Sequence, residues 1–252
     1  MKIFGYDFPD LLIKVSGKQE YLEDLCGGKV FMNESGYFRK LDDNYRGDRL
    51  DGKAPINLTL TGTPELVFFD LKNPENRVEI PADAIRSFTT GFSGDDKIPL
   101  FCCSQLDETI LRKVTDTEWA FCEEFISEME KFGEYYLIFF KNELLNGLVP
   151  YADGIGAGYG EGKVSYQDIS QAYDINRISD GTKNLFQPFL KKDISYKWQN
   201  EWRVFFARKD GTPIIGNDEH HHIATIPPLS FYKMGSIAEL RELTIEVKVK
   251  EE

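Results

Sequence analysis

YKWQNEWRVFF, residues 196–206, is the stretch on which the fold of this chain turns. Its aromatic and β-branched content predicts a strand. In a strand, successive side chains point to opposite faces. Trp198, Asn200, Trp202, Val204 and Phe206 then share one mostly apolar face that enters the core. Gln199, Glu201, Arg203 and Phe205 share the other. Two readings of that second face stay open. It is an exposed face with a weak surface ion pair, or a preorganised polar row lining a cleft, in which Arg203 keeps Glu201 ionised.

Working outward, LLIKV (11–15), KVFM (29–32), IPLFCCS (98–104), YYLIFF (135–140), KVSYQ (163–167), TPII (212–215), HHIATI (221–226) and LTIEVKV (243–249) read as further strands. INLTL (56–60), ELVFFDL (65–71) and RVEI (77–80), with Gly and Pro between them, suggest a meander. QEYLEDLC predicts a short helix stopped by Gly27 and Gly28. From Glu118 to Phe132 the apolar residues recur at helical spacing, and NELLNGL (142–148) predicts another short helix. Strands dominate, without a βαβ repeat or a clear linker. The expected architecture is therefore one α+β domain over residues 1–252, with mostly antiparallel or mixed twisted sheets and a few helices.

Three polar segments carry candidate chemistry. NYRGDRLDG (44–52) is either a solvated, self-paired loop or a functional one in which Arg46 or Arg49 grips a phosphate or carboxylate through a bidentate fork. ADGIGAGYGEG (152–162) misses the GxGxxG spacing, so its alternating glycines read as a flexible connection or a lid. NDEHHHIATI (217–226) holds every histidine. His220 and His222 would share a strand face with Asp218 nearby, yet no Cys/His set completes a zinc pattern, so a turn and strand start is expected and no metal.

Lys and Arg number 30 against 42 Asp and Glu, a net charge of −12. Such a surface repels phosphate backbones and disfavours broad nucleic-acid binding, while leaving room for a local basic pocket. Charges interrupt the first residues, so no signal peptide is expected. The apolar run 135–140 is far shorter than a membrane span. Cys26, Cys102, Cys103 and Cys122 show no CxxC spacing, which suggests reduced thiols and a cytoplasmic setting. Cys102 and Cys103, on a buried strand, read as inert rather than nucleophilic.

KKDISYKWQNEWR (191–203) resembles the carboxy-terminal signature of a bacterial family of unknown function, recognisable by its WxxEWR. Other pieces resemble that family in the same order: VFMNESGYFRKLDDNYRGDRLDG with Gly47-Asp48 and Asp51-Gly52, PLFCCS, FGEYYLIFF and KVSYQD. More distantly, Gln199-Asn200-Glu201 resembles the Gln-x-Glu form of the ADP-ribosyltransferase motif. That resemblance implies Glu201 and Gln199 as catalytic residues, with NAD as substrate. Glu201 would stabilise an oxocarbenium-like cation and hold a ribose hydroxyl, and Gln199 would orient the acceptor. Such enzymes also use an early Arg, here Arg39 or Arg46, and a Ser-rich strand, here Ser87–Thr90 or Cys103-Ser104. The implied cofactor-binding set is Arg39, Arg46, Arg49, Ser104 and Arg203. The expected function is an ADP-ribosyltransferase-like toxin or phage-defence effector acting on a small-molecule or protein acceptor. The alternative is a non-catalytic nucleotide- or protein-binding module, including an acidic phage-type inhibitor of a host protein.

Overall fold

The computed structural model describes residues 2–3, 6–7, 10–41, 47–49, 51–57, 66–70, 73–80, 87–90, 94–168, 187–208, 212–214 and 221–246. Its centre is an eight-stranded antiparallel sheet. The strands, in chain order, are β1 (Leu11–Ser16), β2 (Lys29–Glu34), β3 (Pro99–Gln105), β4 (Tyr135–Phe140), β5 (Gly158–Lys163), β6 (Glu201–Ala207), β7 (His221–Thr225) and β8 (Tyr232–Ser236). The spatial order is β5-β6-β3-β1-β4-β8, with β2 also pairing with β3 and carrying β7. The sheet thus forks at β3, whose Ser104 end meets β1 and whose Pro99 end meets β2. The fold is α+β.

Alternation along the strands builds two cores. On one face Leu12, Phe101, Cys103, Leu137, Phe139, Trp202, Val204 and Phe206 pack under helices α1 (Gln19–Cys26) and α4 (Lys141–Gly154). The buried Leu22, Leu25, Leu144, Leu148 and Ala152 are those helices' contribution. Each large side chain so buried contributes about 1.5–3 kcal/mol relative to exposure. On the other face Ile13, Tyr136 and Ile138 pack against Trp119, Phe121 and α3 (Glu123–Met129). Farther along that same face, Leu100, Phe205 and Ala207 meet Phe189. The segment between these two patches, formed by β3 and β6, carries polar side chains.

Several expectations change. Residues 196–206 are not one strand. Ile194–Gln199 forms a 3-10 turn, and the strand starts at Glu201. Asn200 makes the joint with φ 44°, a left-handed conformation that Asn tolerates, and its amide donates to Gln105 O (2.6 Å) and Asp107 Oδ1 (3.0 Å). Asn200 is therefore a corner residue rather than part of an apolar face, and Trp198 packs against Phe132 in the second core, away from Trp202. The helix read over 118–132 is a strand, Glu118–Phe121, followed by α3. The strand pairs on both sides, with Leu111–Lys113 and Thr244–Glu246, and that tertiary pairing overrides the helical spacing.

The glycine-rich 152–162 is not a loop, because α4 runs to Gly154 and β5 follows. A Cβ at Gly160 would run into the Phe205 ring, so glycine is what lets this edge strand lie against its neighbour. Helix α2 (Ser35–Lys40) lies within residues 33–52, a polar stretch whose sequence shows no clear period. Leu66–Asp70 pairs with Asn73–Ile80, as the last two strands of the expected meander would, whereas Ala54–Asn57 pairs with Ser87–Thr90; residues 58–60, 65 and 71 of those runs lie outside the described residues. Thr212, Pro213 and Ile214 belong to no strand. No helix among the described residues is long and apolar enough to cross a membrane.

Candidate functional site

The polar row of β6 is neither a surface pair nor an open cleft lining. Glu201 is 5% exposed and Arg203 1%. The β6–β3 register sets Glu201 opposite Ser104, Arg203 opposite Cys102 and Phe205 opposite Leu100, and residues directly opposite share a face. The charged pair therefore lies between two apolar patches and is covered from above.

Arg203 holds the site together. Its Nε donates to Glu201 Oε1 (2.7 Å), and Nη1 and Nη2 fork onto Asp51 Oδ1 (2.8 Å) and Oδ2 (2.7 Å). Nη1 also donates to Phe189 O (2.8 Å). Lys192, itself 5% exposed, donates to Glu201 Oε2 (2.9 Å) and to Gln199 Oε1 (2.7 Å). Its ammonium also sits 4.9 Å from the Tyr196 ring centroid. Two carboxylates and two cations thus form a closed, neutral quartet. Desolvating four charges is expensive, and only such complete pairing makes it tolerable.

The backbone around the quartet is fastened by side chains. Tyr166 Oη accepts from the Glu201 N–H (2.8 Å), and Ser104 Oγ donates to Gln199 O (2.6 Å). A further buried carboxylate, Asp95, accepts from Arg39 Nη2 (3.1 Å) and Lys53 Nζ (2.5 Å). Arg39 Nη1 also donates to Asp51 O (2.6 Å), which links the two clusters.

Burial alone would push the Glu201 carboxyl up. The Arg203 and Lys192 charges, with hydrogen bonds from Arg203 and the Cys102 thiol, outweigh it and hold the group well below the usual carboxylate range. Burial and the Glu201 charge push the Cys102 thiol far up, and the same two causes raise Tyr166. Cys103 is raised chiefly by burial. Neither cysteine has the electropositive, accessible setting of a reactive thiolate.

Of the seven candidate residues, Glu201, Gln199, Arg203 and Ser104 lie together, and Arg39 joins them through Asp51. Arg49 is exposed and makes none of these contacts. Arg46 lies outside the described residues, as do Asp218 and His220. His222 is buried, with its Nε2 3.0 Å from the Tyr151 hydroxyl. Among the described residues no three His, Cys, Asp or Glu side chains are grouped to hold a metal ion. Ser87–Thr90 pairs with Ala54–Asn57 in a separate two-stranded sheet, not with β6.

Lys192 and Tyr166 went unassigned in the sequence, where Asp51 figured only within the NYRGDRLDG loop and as half of the Asp51-Gly52 pair. The signal for all three lay in the quoted family-like pieces, because Asp51-Gly52, PLFCCS, KVSYQD and KKDISYKWQNEWR each place a side chain in this one cluster. Comparison of the chain with protein-family models, with curated proteins and with solved structures gives no match.

Proposed function

We propose that the chain is an NAD-consuming transferase of ADP-ribosyltransferase type, with Glu201 as the carboxylate that faces the developing ribosyl cation. The observation that carries this reading is convergence. An early Arg (Arg39), a mid-chain Ser (Ser104) and Gln199 with Glu201 come from separate parts of the sequence and meet in one connected set. Glu201 is ionised and set in a low-dielectric surround, the condition under which a carboxylate stabilises a cation most strongly. Gln199 is tied to the same Lys192 ammonium as Glu201, which suits a residue that positions an acceptor beside it.

The test is nicotinamide release from NAD by the purified protein, with and without an added protein acceptor. Release by the wild type that is lost in a folded Glu201→Gln variant is the expected result. No release, together with no heat of NAD binding on calorimetry, overturns the reading.

A second reading, a non-catalytic nucleotide- or protein-binding module, is favoured by one specific observation. Both Glu201 oxygens are already paired with cations, which offset its charge toward any substrate. On that reading NAD binds without turnover, or a protein partner engages the acidic surface, and Glu201→Gln changes stability alone.

A further inference from the structure

Strand β8 ends the spatial order of the central sheet, and among the described residues only β4 pairs with it. The Ile237 N–H donates to Glu134 O (2.7 Å), and that bond sets the phase of the β4–β8 ladder. In an antiparallel ladder, hydrogen-bonded pairs alternate with non-hydrogen-bonded ones. Counting back from Ile237, Gly235 and Lys233 turn their backbone groups to β4, whereas Tyr232 and Met234 turn theirs outward, as does the Ser236 N–H. Side chains alternate too. Met234 packs on the first core, while Lys233 and Gly235 share the opposite face with Ile138 and Tyr136.

On that face a carboxylate lies over Gly235. A Cβ there would run into Glu239 Oε2 and come within 3.2 Å of the Tyr136 hydroxyl. Glu239 Oε1 accepts from the Ser236 hydroxyl (3.0 Å), which fixes the carboxylate in place. Among the described residues neither Glu239 nor the exposed Lys233 belongs to an ion pair, and the buried Tyr136 hydroxyl has no hydrogen-bond partner. Phe231 and Tyr232, at the start of the strand, are 67% and 50% exposed. The opposite edge of the sheet, β5, offers no such unmatched charges, since Glu161 accepts from Trp202 Nε1 and Lys163 pairs with Asp107.

We propose that β8 is the contact edge of a twofold dimer, in which it pairs antiparallel with β8 of a second copy about Met234. The outward-facing groups allow few registers, and charge separates them. Centred on Lys233, the ladder would set two lysines directly opposite each other, which is destabilising. Centred on Gly235, it would set Lys233 opposite Ile237, beyond the strand. Centred on Met234, it sets Lys233 opposite Gly235 of the second copy, in a non-hydrogen-bonded pair, the closer of the two kinds. The Lys233 ammonium then meets the Glu239 carboxylate that lies over that glycine, and the twofold axis makes the contact twice. Met234 exchanges its N–H and C=O bonds with its counterpart, and the Ser236 N–H reaches Tyr232 O. A net charge of −12 on each copy opposes long-range approach, so the contact rests on these short-range groups and on covering Phe231 and Tyr232. Five residues of edge make a small interface, and hence a dimer that forms at high concentration and comes apart on dilution. The pairing leaves Glu201 and its partners untouched and is independent of NAD turnover.

The experiment is sedimentation equilibrium of the full chain in about 0.15 M salt at up to about 1 mM protein. Wild type is compared with Lys233→Glu, Glu239→Lys and the double variant that exchanges the two charges. The expected result is a monomer–dimer equilibrium that is about tenfold weaker in each single variant and returns to within about threefold of wild type in the double. Amide hydrogen exchange reads the register. Met234 and Ser236 should slow as protein concentration rises, while Lys233 and Gly235, already bonded to β4, should not change. A wild type that stays monomeric overturns the proposal, and so does a dimer indifferent to all three variants. A double variant as weak as the singles overturns the Lys233–Glu239 contact and with it the register. Slowing confined to other strands places the interface elsewhere and overturns the edge. If Glu239→Lys does not fold, Lys233→Glu and the exchange pattern decide: a weakened dimer with slowed Met234 and Ser236 supports the pairing, and any other result overturns it.

Discussion

Replacing Arg203 by Met keeps most of the side chain's length and removes its charge. The structure sets the size of the effect. Four donated hydrogen bonds disappear, two to Asp51 and one each to Glu201 and Phe189 O. Glu201 keeps Lys192, but Asp51, 1% exposed, loses both guanidinium contacts and is left as an uncompensated buried charge. Breaking a buried pair from one side costs about 3–5 kcal/mol. For a domain of this size that corresponds to a fall in Tm of about 6–20 °C. Urea unfolding followed by tryptophan fluorescence measures it, since Trp202 adjoins Arg203 on β6. The double variant Asp51→Asn/Arg203→Met leaves Glu201 and Lys192 as a balanced pair, so it recovers a large part of the loss. If Arg203→Met lies within about 1 kcal/mol of wild type, or if adding Asp51→Asn only deepens the loss, the quartet is not the cooperative unit described above.

Two further outcomes follow from the same geometry. The folded pKa of Glu201 is held below its unfolded value, which is about 4.3, so its contribution is complete above that pH and is lost as pH falls toward the folded value. Unfolding free energies from urea titrations collected downward from pH 5 should drop more steeply for wild type than for Glu201→Gln, by up to about 1.4 kcal/mol per pH unit, and parallel curves would contradict the pairing. In β5, Gly160→Val drives a branched side chain into the Phe205 ring and should destabilise by about 1–3 kcal/mol. Gly154→Ala, with open space around it, should stay within about 0.5 kcal/mol, and equal thermal shifts for the two would remove the packing reason for the glycine-rich strand.

What the sequence makes legible is local. Continuous apolar runs such as LLIKV, PLFCCS and YYLIFF become central strands, because only a surface buried on both faces tolerates them. Alternation in EWRVFFA separates Trp202, Val204 and Phe206 from Glu201, Arg203 and Phe205, as the two cores require. Alternation does not say what lies above each face. The cover over Arg203 comes from Asp51 and that over Glu201 from Lys192, contacts that depend on tertiary placement. Glu118–Phe121 is likewise made a strand by partners at Leu111–Lys113 and Thr244–Glu246, and the latter lies more than a hundred residues away. The glycines of β5 announce flexibility when read alone. Beside Phe205 and Leu190 they announce close contact.

The span of the Arg203–Asp51 pair bears on how the molecule is made. The two residues stand 152 positions apart. At about 5–20 residues per second, Asp51 is synthesised roughly 8–30 s before its partner. Strand β6 lies between β5 and β3 in the finished sheet, so β5 cannot take its place beside the sheet until β6 has been made. Until Arg203 is made, burying Asp51 would leave an unpaired charge in the core. The charge pairing of the core is thus complete only once the segment holding Lys192 and Arg203 has been added.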